Sequence, residues 1–196
     1  YAASIKEHKV SVIIRQILND CKVTEHQAVF IKPNLGGRYP ILKGENTDLD
    51  VVDALCDALE RAGCRDIVIG HTSLLNFGKD KYDFDTLIRQ SGFIKLRRYP
   101  HVRFLNLDEA PRIEVKVKDV VFQIPEIART HYYINVCSLK THMETGVSLA
   151  LKNQIGLQLE RERIRNHQVD LDRHIALLAV AVKPRLALID GRIGMQ

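Results

Sequence analysis

Ile5, Val10, Ile13, Ile14, Ile17 and Leu18 recur among polar residues at helical spacing, which predicts an amphipathic helix over 5–18. The unbroken run Ala28-Val29-Phe30-Ile31 reads as a short buried strand, stopped at Pro33 and followed by the loop Leu35-Gly36-Gly37-Arg38. A second helix follows, with Thr47 as its cap and Asp50 returning the bond three residues later. Val51, Val52, Leu55, Leu59 and Ala62 form its apolar face, and Gly63 supplies the stop. Strands are expected over 66–70 and 102–107, flanking a helix over 83–90 that ends at Gly92. The period then changes: Ile113, Val115 and Val117 alternate with Glu114, Lys116 and Lys118, and Val121-Phe122-Gln123-Ile124 returns after Lys118-Asp119. That is a half-exposed antiparallel hairpin, ended by Pro125. A buried strand over 131–136 leads to a helix over about 146–155, and the charged stretch 158–167 is either a loop or a helical extension. A helix over 171–182 and a buried strand over 186–189, ending at Asp190-Gly191, complete the chain.

Buried strands alternating with amphipathic helices predict one three-layer α/β domain over 1–196, with a mainly parallel sheet and an antiparallel hairpin insert. Such a sheet gathers ligands beyond the carboxyl ends of its strands. Four of those ends are polar: Lys32-Pro33-Asn34, His71-Thr72-Ser73, Lys140-Thr141-His142 and Asp190-Gly191.

Composition narrows the choice of partner. Apolar residues at 45% and charged residues at 27% are ordinary for a globular protein, and no stretch nears the ~18 apolar residues of a membrane span. The 29 basic and 24 acidic residues leave +5, a bias toward anionic ligands that falls short of a nucleic-acid stripe. Arg161, Arg163 and Arg165 alternate with Glu160 and Glu162, as on a solvated charged face. None of Cys21, Cys56, Cys64 and Cys137 forms a C-x-x-C pair, so these cysteines encode neither a zinc ribbon nor an iron–sulfur cluster. Cys56 and Cys137 read as buried small hydrophobes, and a reducing, cytoplasmic compartment is expected. A start at Tyr1 and a stop at Met195-Gln196 read as part of a longer chain. Nothing in the pattern speaks to oligomeric state.

Lys140 and His142 leave a buried strand where Thr145 or Gly146 is expected to open a helix, whose first N–H groups would attract an anion. One helix terminus contributes only ~0.3–1 kcal/mol, against the ~4–8 kcal/mol of a millimolar-to-micromolar ligand. Lys140 and a second cation are therefore needed. Ser148 and Lys152 share a face of the predicted helix, with Asn153 beside them; the plainer reading is its solvated side. Asp190 suits a metal, a base-orienting role or a cap. His142, His167 and Asp190 would make a His/His/carboxylate metal set, but steps of 25 and 23 residues match no compact metal motif. His174 reads as a partly buried structural histidine.

The ordered set Ile31-Lys32-Pro33-Asn34, Ser138-Leu139-Lys140-Thr141-His142, Gly146-Val147-Ser148-Leu149-Ala150-Leu151-Lys152-Asn153 and Leu188-Ile189-Asp190-Gly191 resembles the domain-of-unknown-function family 362, across residues 28 to 194. The resemblance implies functional roles for Lys32, Asn34, Lys140, His142, Lys152, Asn153 and Asp190. Members of that family are often catalogued as iron–sulfur proteins. Many carry a ferredoxin-like cysteine motif beyond this domain, and the motif is missing from this sequence. The resulting expectation is an enzyme acting on a phosphate- or carboxylate-bearing small molecule. Lys32, Lys140 and Lys152 would hold the anion, with Lys140 also counted in the catalytic set. Asn34, Asn153 and Ser148 would orient substrate, His142 would serve as general acid or base, and Asp190 would position His142 or a divalent metal. The alternatives are a redox protein working with an iron–sulfur domain outside this chain, and an anion-binding module without catalysis.

Overall fold

The computed structural model describes residues 10–24, 27–36, 44–73, 83–166 and 170–195. In order, the chain forms α1 (Val10–Asp20), β1 (Ala28–Lys32), α2 (Leu49–Arg61), β2 (Asp66–His71), α3 (Phe84–Gln90), a 3-10 turn (Phe93–Arg98) and β3 (Val102–Asn106). Next come β4 (Arg112–Val117), β5 (Val120–Pro125), α4 (Ile127–Thr130), β6 (Tyr132–His142), β7 (Gly146–Ser148), α5 (Ala150–Asn153) and a second 3-10 turn (Gln154–Leu157). The described chain closes with α6 (Glu160–Asn166), α7 (Leu171–Val182) and β8 (Leu186–Met195).

The fold is α/β. A six-stranded, mainly parallel sheet runs β3-β2-β1-β6, with β8 parallel on the far side of β6 and β7 antiparallel to the end of β6. The hairpin of β4 and β5 forms a separate two-stranded sheet. Because strand side chains alternate between faces, β1, β2 and β6 feed two cores. Val29, Ile31, Ile67, Ile69, Ile134 and Val136 pack with Leu18, Leu55, Leu59 and Leu87 from the first three helices. Phe30, Val68 and Tyr133 pack on the other face with Phe122 and Ile124 of the hairpin and Leu178 and Val182 of α7. Three layers result. Burying both sheet faces explains why the strands read as unbroken apolar runs.

Gly63 ends α2 as expected: at φ 86° it lets Cys64 N–H reach Leu59 O at 3.1 Å and Gly63 N–H reach Glu60 O at 3.0 Å, the Schellman arrangement. The start of α2 differs from the expectation. Asp48, not Thr47, is the cap, and its carboxylate accepts from Asp50 N–H at 3.0 Å. The charged stretch takes its helical alternative, as α6. Residues 5–9 of the first expected helix, Gly37, Arg38 and His167 lie outside the described residues.

The largest correction follows β6. The helix expected over 146–155 is replaced by β7, the four-residue α5 and a 3-10 turn. β6 continues to His142 and folds back, so that Lys140 lies opposite Ser148 and His142 opposite Gly146. At φ 71° Gly146 supplies a backbone conformation that other residues adopt at a cost. Lys140 also pairs with Met195 of β8, and these strand bonds on both edges outweigh the local preference for helix. The helix N-terminus expected at Thr145 or Gly146 is therefore not formed. Ser148 and Lys152 sit on different elements, not on one helix face. Among the described residues no helix is long and apolar enough to cross a membrane.

Candidate functional site

Lys32 ends β1 with no exposed surface, on the face of the sheet that Phe30 shares. Its Nζ donates to Pro33 O at 3.1 Å and to Asn153 Oδ1 at 3.0 Å. Asn153 Nδ2 donates to Asn135 Oδ1 at 2.7 Å and to Val136 O at 3.2 Å, and Asn135 Nδ2 donates to Ala150 O at 2.7 Å. Asn135 is the register partner of Lys32, so one polar chain ties β1 to β6 and then to α5. The following turn presses on the amine: a Cβ on Gly156 would stand 2.9 Å from Lys32 Nζ. Burial, then the Arg163 and Lys140 cations, pull the Lys32 amine from 10.5 to about 7, with Cys137 acting the other way.

The segment entering α2 is laced to the same strand ends. Asn34 N–H donates to Thr47 Oγ1 at 2.8 Å, and the Thr47 hydroxyl donates to Val136 O at 3.0 Å. This bridge is why Thr47 does not serve as the helix cap. Asn34 Nδ2 at 3.3 Å and Lys140 Nζ at 2.9 Å converge on the carbonyl of Glu45, while Ser138 Oγ donates to Asn46 O at 2.6 Å. Burial lowers the amine of Lys140 and that of Lys152, and Lys140 depresses Lys152 further. Glu45 and Glu144 act the other way on Lys140 and Lys152, so these lysines share the sheet edge with carboxylates. Burial holds the Cys137 thiol up at about 11, against the pull of Lys32 and Lys140.

His142 closes β6, and its Nδ1 accepts from Glu144 N–H at 3.2 Å, which leaves the proton of the neutral ring on Nε2. Asp190 pairs in register with Ser138, one strand over from Lys140. Its carboxylate accepts from Arg192 N–H at 3.1 Å, Nε at 2.9 Å and Nη2 at 2.9 Å. Burial pushes the Asp190 carboxyl up, but the Arg192 bonds outweigh it and leave the group below its usual value. Arg192 also lies 3.2 Å from Asp48 at the start of α2. A cation at Asp190 would have to displace that guanidinium, so the described members of the His142, His167 and Asp190 set do not fit a metal. Among the described residues no group of three or more His, Cys, Asp and Glu could hold one. His174 is structural, as read: its Nε2 meets Gln158 Oε1 at 3.1 Å and its ring lies edge-on to Phe122 at 5.0 Å.

Two contributors, Arg163 and Asn135, escaped the sequence reading, and a third, His71, was noted there only as part of a polar strand end. His71 is buried, donating from Nδ1 to Thr72 O at 2.6 Å and accepting Leu35 N–H on Nε2 at 3.3 Å. Those partners fix the neutral ring, and burial, then Lys32, hold it well below its ordinary value. Arg163 is 6% exposed and donates to Ser73 O at 3.0 Å, a correction to the solvated face expected for its run. Asn135 is buried within the otherwise largely apolar first half of β6, residues 132–137, and a lone amide in such a run was the signal that could have found it.

A family model described as a domain of unknown function, DUF362, matches residues 29–196, from the second residue of β1 through β8. Among curated proteins none matches the chain. The match takes in the β1 end, the β6–α5 segment and Asp190 alike, and the chain belongs to the DUF362 family.

Proposed function

We propose that this DUF362 chain is an enzyme that binds a phosphate- or carboxylate-bearing small molecule at the carboxyl edge of its parallel sheet. Lys140 and Lys152 meet the anion, with Lys32 behind them. His142 serves as general acid or base, and Asn34, Asn153 and Ser148 order the site around it. One observation carries this reading: lysines from β1, β6 and α5, one buried and two partly buried, stand at one edge of the sheet, with Lys32 tied to α5 through Asn153 and Lys140 to the carbonyl of Glu45. Partly buried cations that repel one another gain most from a bound anion.

Thermal denaturation with inorganic phosphate or malonate at constant ionic strength tests it. A saturable rise is expected, about 2.7 kcal/mol at a hundredfold excess over Kd, or roughly 5–10 °C for a chain of this size. Lys140→Met and Lys152→Met should lose most of the rise, and Lys116→Met, on the exposed hairpin, should keep it. His142→Gln should keep the rise too, and should abolish turnover of any substrate found. A flat response in the unmodified chain, or equal responses in all variants, refutes the anion site.

A further inference from the structure

The amine of Lys32 is fully buried, and among the described residues the ionisable side chains acting on it are the cations Arg163 and Lys140 and, in the opposite sense, the Cys137 thiol. A lysine buried as an ammonium normally has a carboxylate beside it, because an unpaired buried charge costs several kcal/mol. The hydrogen bonds at Lys32 have a different stoichiometry. Nζ faces two carbonyl oxygens, Pro33 O and Asn153 Oδ1. An ammonium has three N–H donors, whereas a neutral amine has two and a lone pair. The two acceptors match the neutral amine donor for donor and leave its lone pair over.

Position and access agree with this. Lys32 stands at the carboxyl end of a central parallel strand, where α/β sheets place reacting groups. The wall over the amine is Gly156, itself only partly buried, whose missing Cβ would fall 2.9 Å from Nζ. Arg163, 6% exposed, keeps a buried Nε that has no hydrogen-bond partner among the described residues, a donor left over for an anion. Desolvation and a neighbouring cation are the two conditions that turn a lysine into a nucleophile.

We propose that Lys32 forms an imine with the carbonyl group of an anionic aldehyde or 2-oxo acid, whose charge Lys140, Lys152 and Arg163 hold. This narrows the anion-site reading and rests on it. The lone pair of Nζ forms the N–C bond as the carbonyl π pair moves to oxygen. The carbinolamine then expels that oxygen as water, which carries off both amine protons and leaves C=N. No oxidant or reductant is consumed.

The full chain is incubated separately with glyoxylate, pyruvate, 2-oxoglutarate and glyceraldehyde 3-phosphate, reduced with cyanoborohydride, digested and mapped by mass. At least one probe should leave a reduced adduct on Lys32, roughly tenfold or more above that on exposed Lys95, and inorganic phosphate should suppress it. In parallel, brief acetic anhydride labelling across pH should place half-maximal reactivity of Lys32 near its value of about 7. Adducts confined to other lysines, or none from all four probes, overturn the imine. A phosphate-dependent thermal rise without a Lys32 adduct leaves the anion site standing and the imine refuted. A Lys32 adduct indifferent to phosphate shows amine reactivity without an anion hold and overturns the proposal as well.

Discussion

Lys32 Nζ reaches Asn153 Oδ1 at 3.0 Å across 121 positions of sequence, and the same Asn153 side chain donates to Asn135 Oδ1 at 2.7 Å. One amide thus satisfies buried groups on two adjacent strands. Asn153→Leu keeps the volume but leaves the Lys32 amine and the Asn135 oxygen short of a partner. A loss of about 2–6 kcal/mol follows from two buried groups at ~1–3 kcal/mol each, read by urea denaturation. Asn153→Asp acts differently, since it supplies the missing counter-charge: Lys32 should titrate closer to an ordinary lysine and label more slowly at neutral pH. An Asn153→Leu variant as stable as the unmodified chain would show the network to be dispensable.

Lys32 also gives the protein a pH dependence of defined sign. Its folded value of about 7 lies below the 10.5 of the unfolded chain, so between those values the unfolded state binds more protons and stability rises with pH. The penalty for burying the amine is complete below pH 7 and is relieved above it. Lys32→Met removes the titration, so its stability relative to the unmodified chain should fall by roughly 2–3 kcal/mol between about pH 6 and about pH 9. Paired urea curves at the two pH values isolate this group from the rest of the protein. A difference independent of pH would mean that Lys32 stays charged throughout.

The framework of this fold was readable because it depends on period. Unbroken runs such as Ala28–Ile31 belong to strands covered on both faces, and Gly63 stops α2 by a local mechanism. What could not be read depends on distant partners. Val147 to Asn153 has the composition of a helix, yet β6 offers edge hydrogen bonds that local preference does not register. Thr47 and Asp48 are both fit to cap α2, and only the presence of Val136 O within reach of the Thr47 hydroxyl decides between them. Lys32, Asn34, Lys140 and Asn153 were legible as candidates from their places at strand ends and in the family pattern. Their supports, Asn135 and Arg163, were not, one hidden in an apolar run and the other in a charged one.

Asp190 carries the opposite pH signature. Arg192 holds its carboxylate below the usual range, so the pair stabilises the protein above the unfolded carboxylate value, and the gain is lost as pH falls through the folded one. The Asp190 side chain is 10% exposed, so solvent screens the pair less than a surface bridge. Asp190→Asn should cost about 1–3 kcal/mol at neutral pH, and that difference should shrink in acid, below the usual carboxylate range. Denaturant titration at neutral and acidic pH checks it. A cost that persists in acid would place the role of Asp190 in its shape and neutral hydrogen bonds.

Thr47→Val tests whether the bridge between strand ends matters to the site rather than to the fold alone. Valine matches threonine in shape but cannot accept from Asn34 N–H or donate to Val136 O. The Val136 carbonyl keeps a donor in Asn153 Nδ2, so the uncompensated loss falls on the Asn34 amide, at about 1–2 kcal/mol. The larger effect is positional. Thr47 anchors the segment whose Glu45 carbonyl gathers the side chains of Asn34 and Lys140. Loosening that anchor leaves both cationic and amide groups less ordered before an anion arrives, and ordering them then draws on the affinity. Phosphate affinity, read from the thermal rise, should therefore weaken by roughly three- to tenfold while Lys116→Met stays unchanged. A Thr47→Val chain that loses stability but binds phosphate with full affinity would separate the bridge from the site.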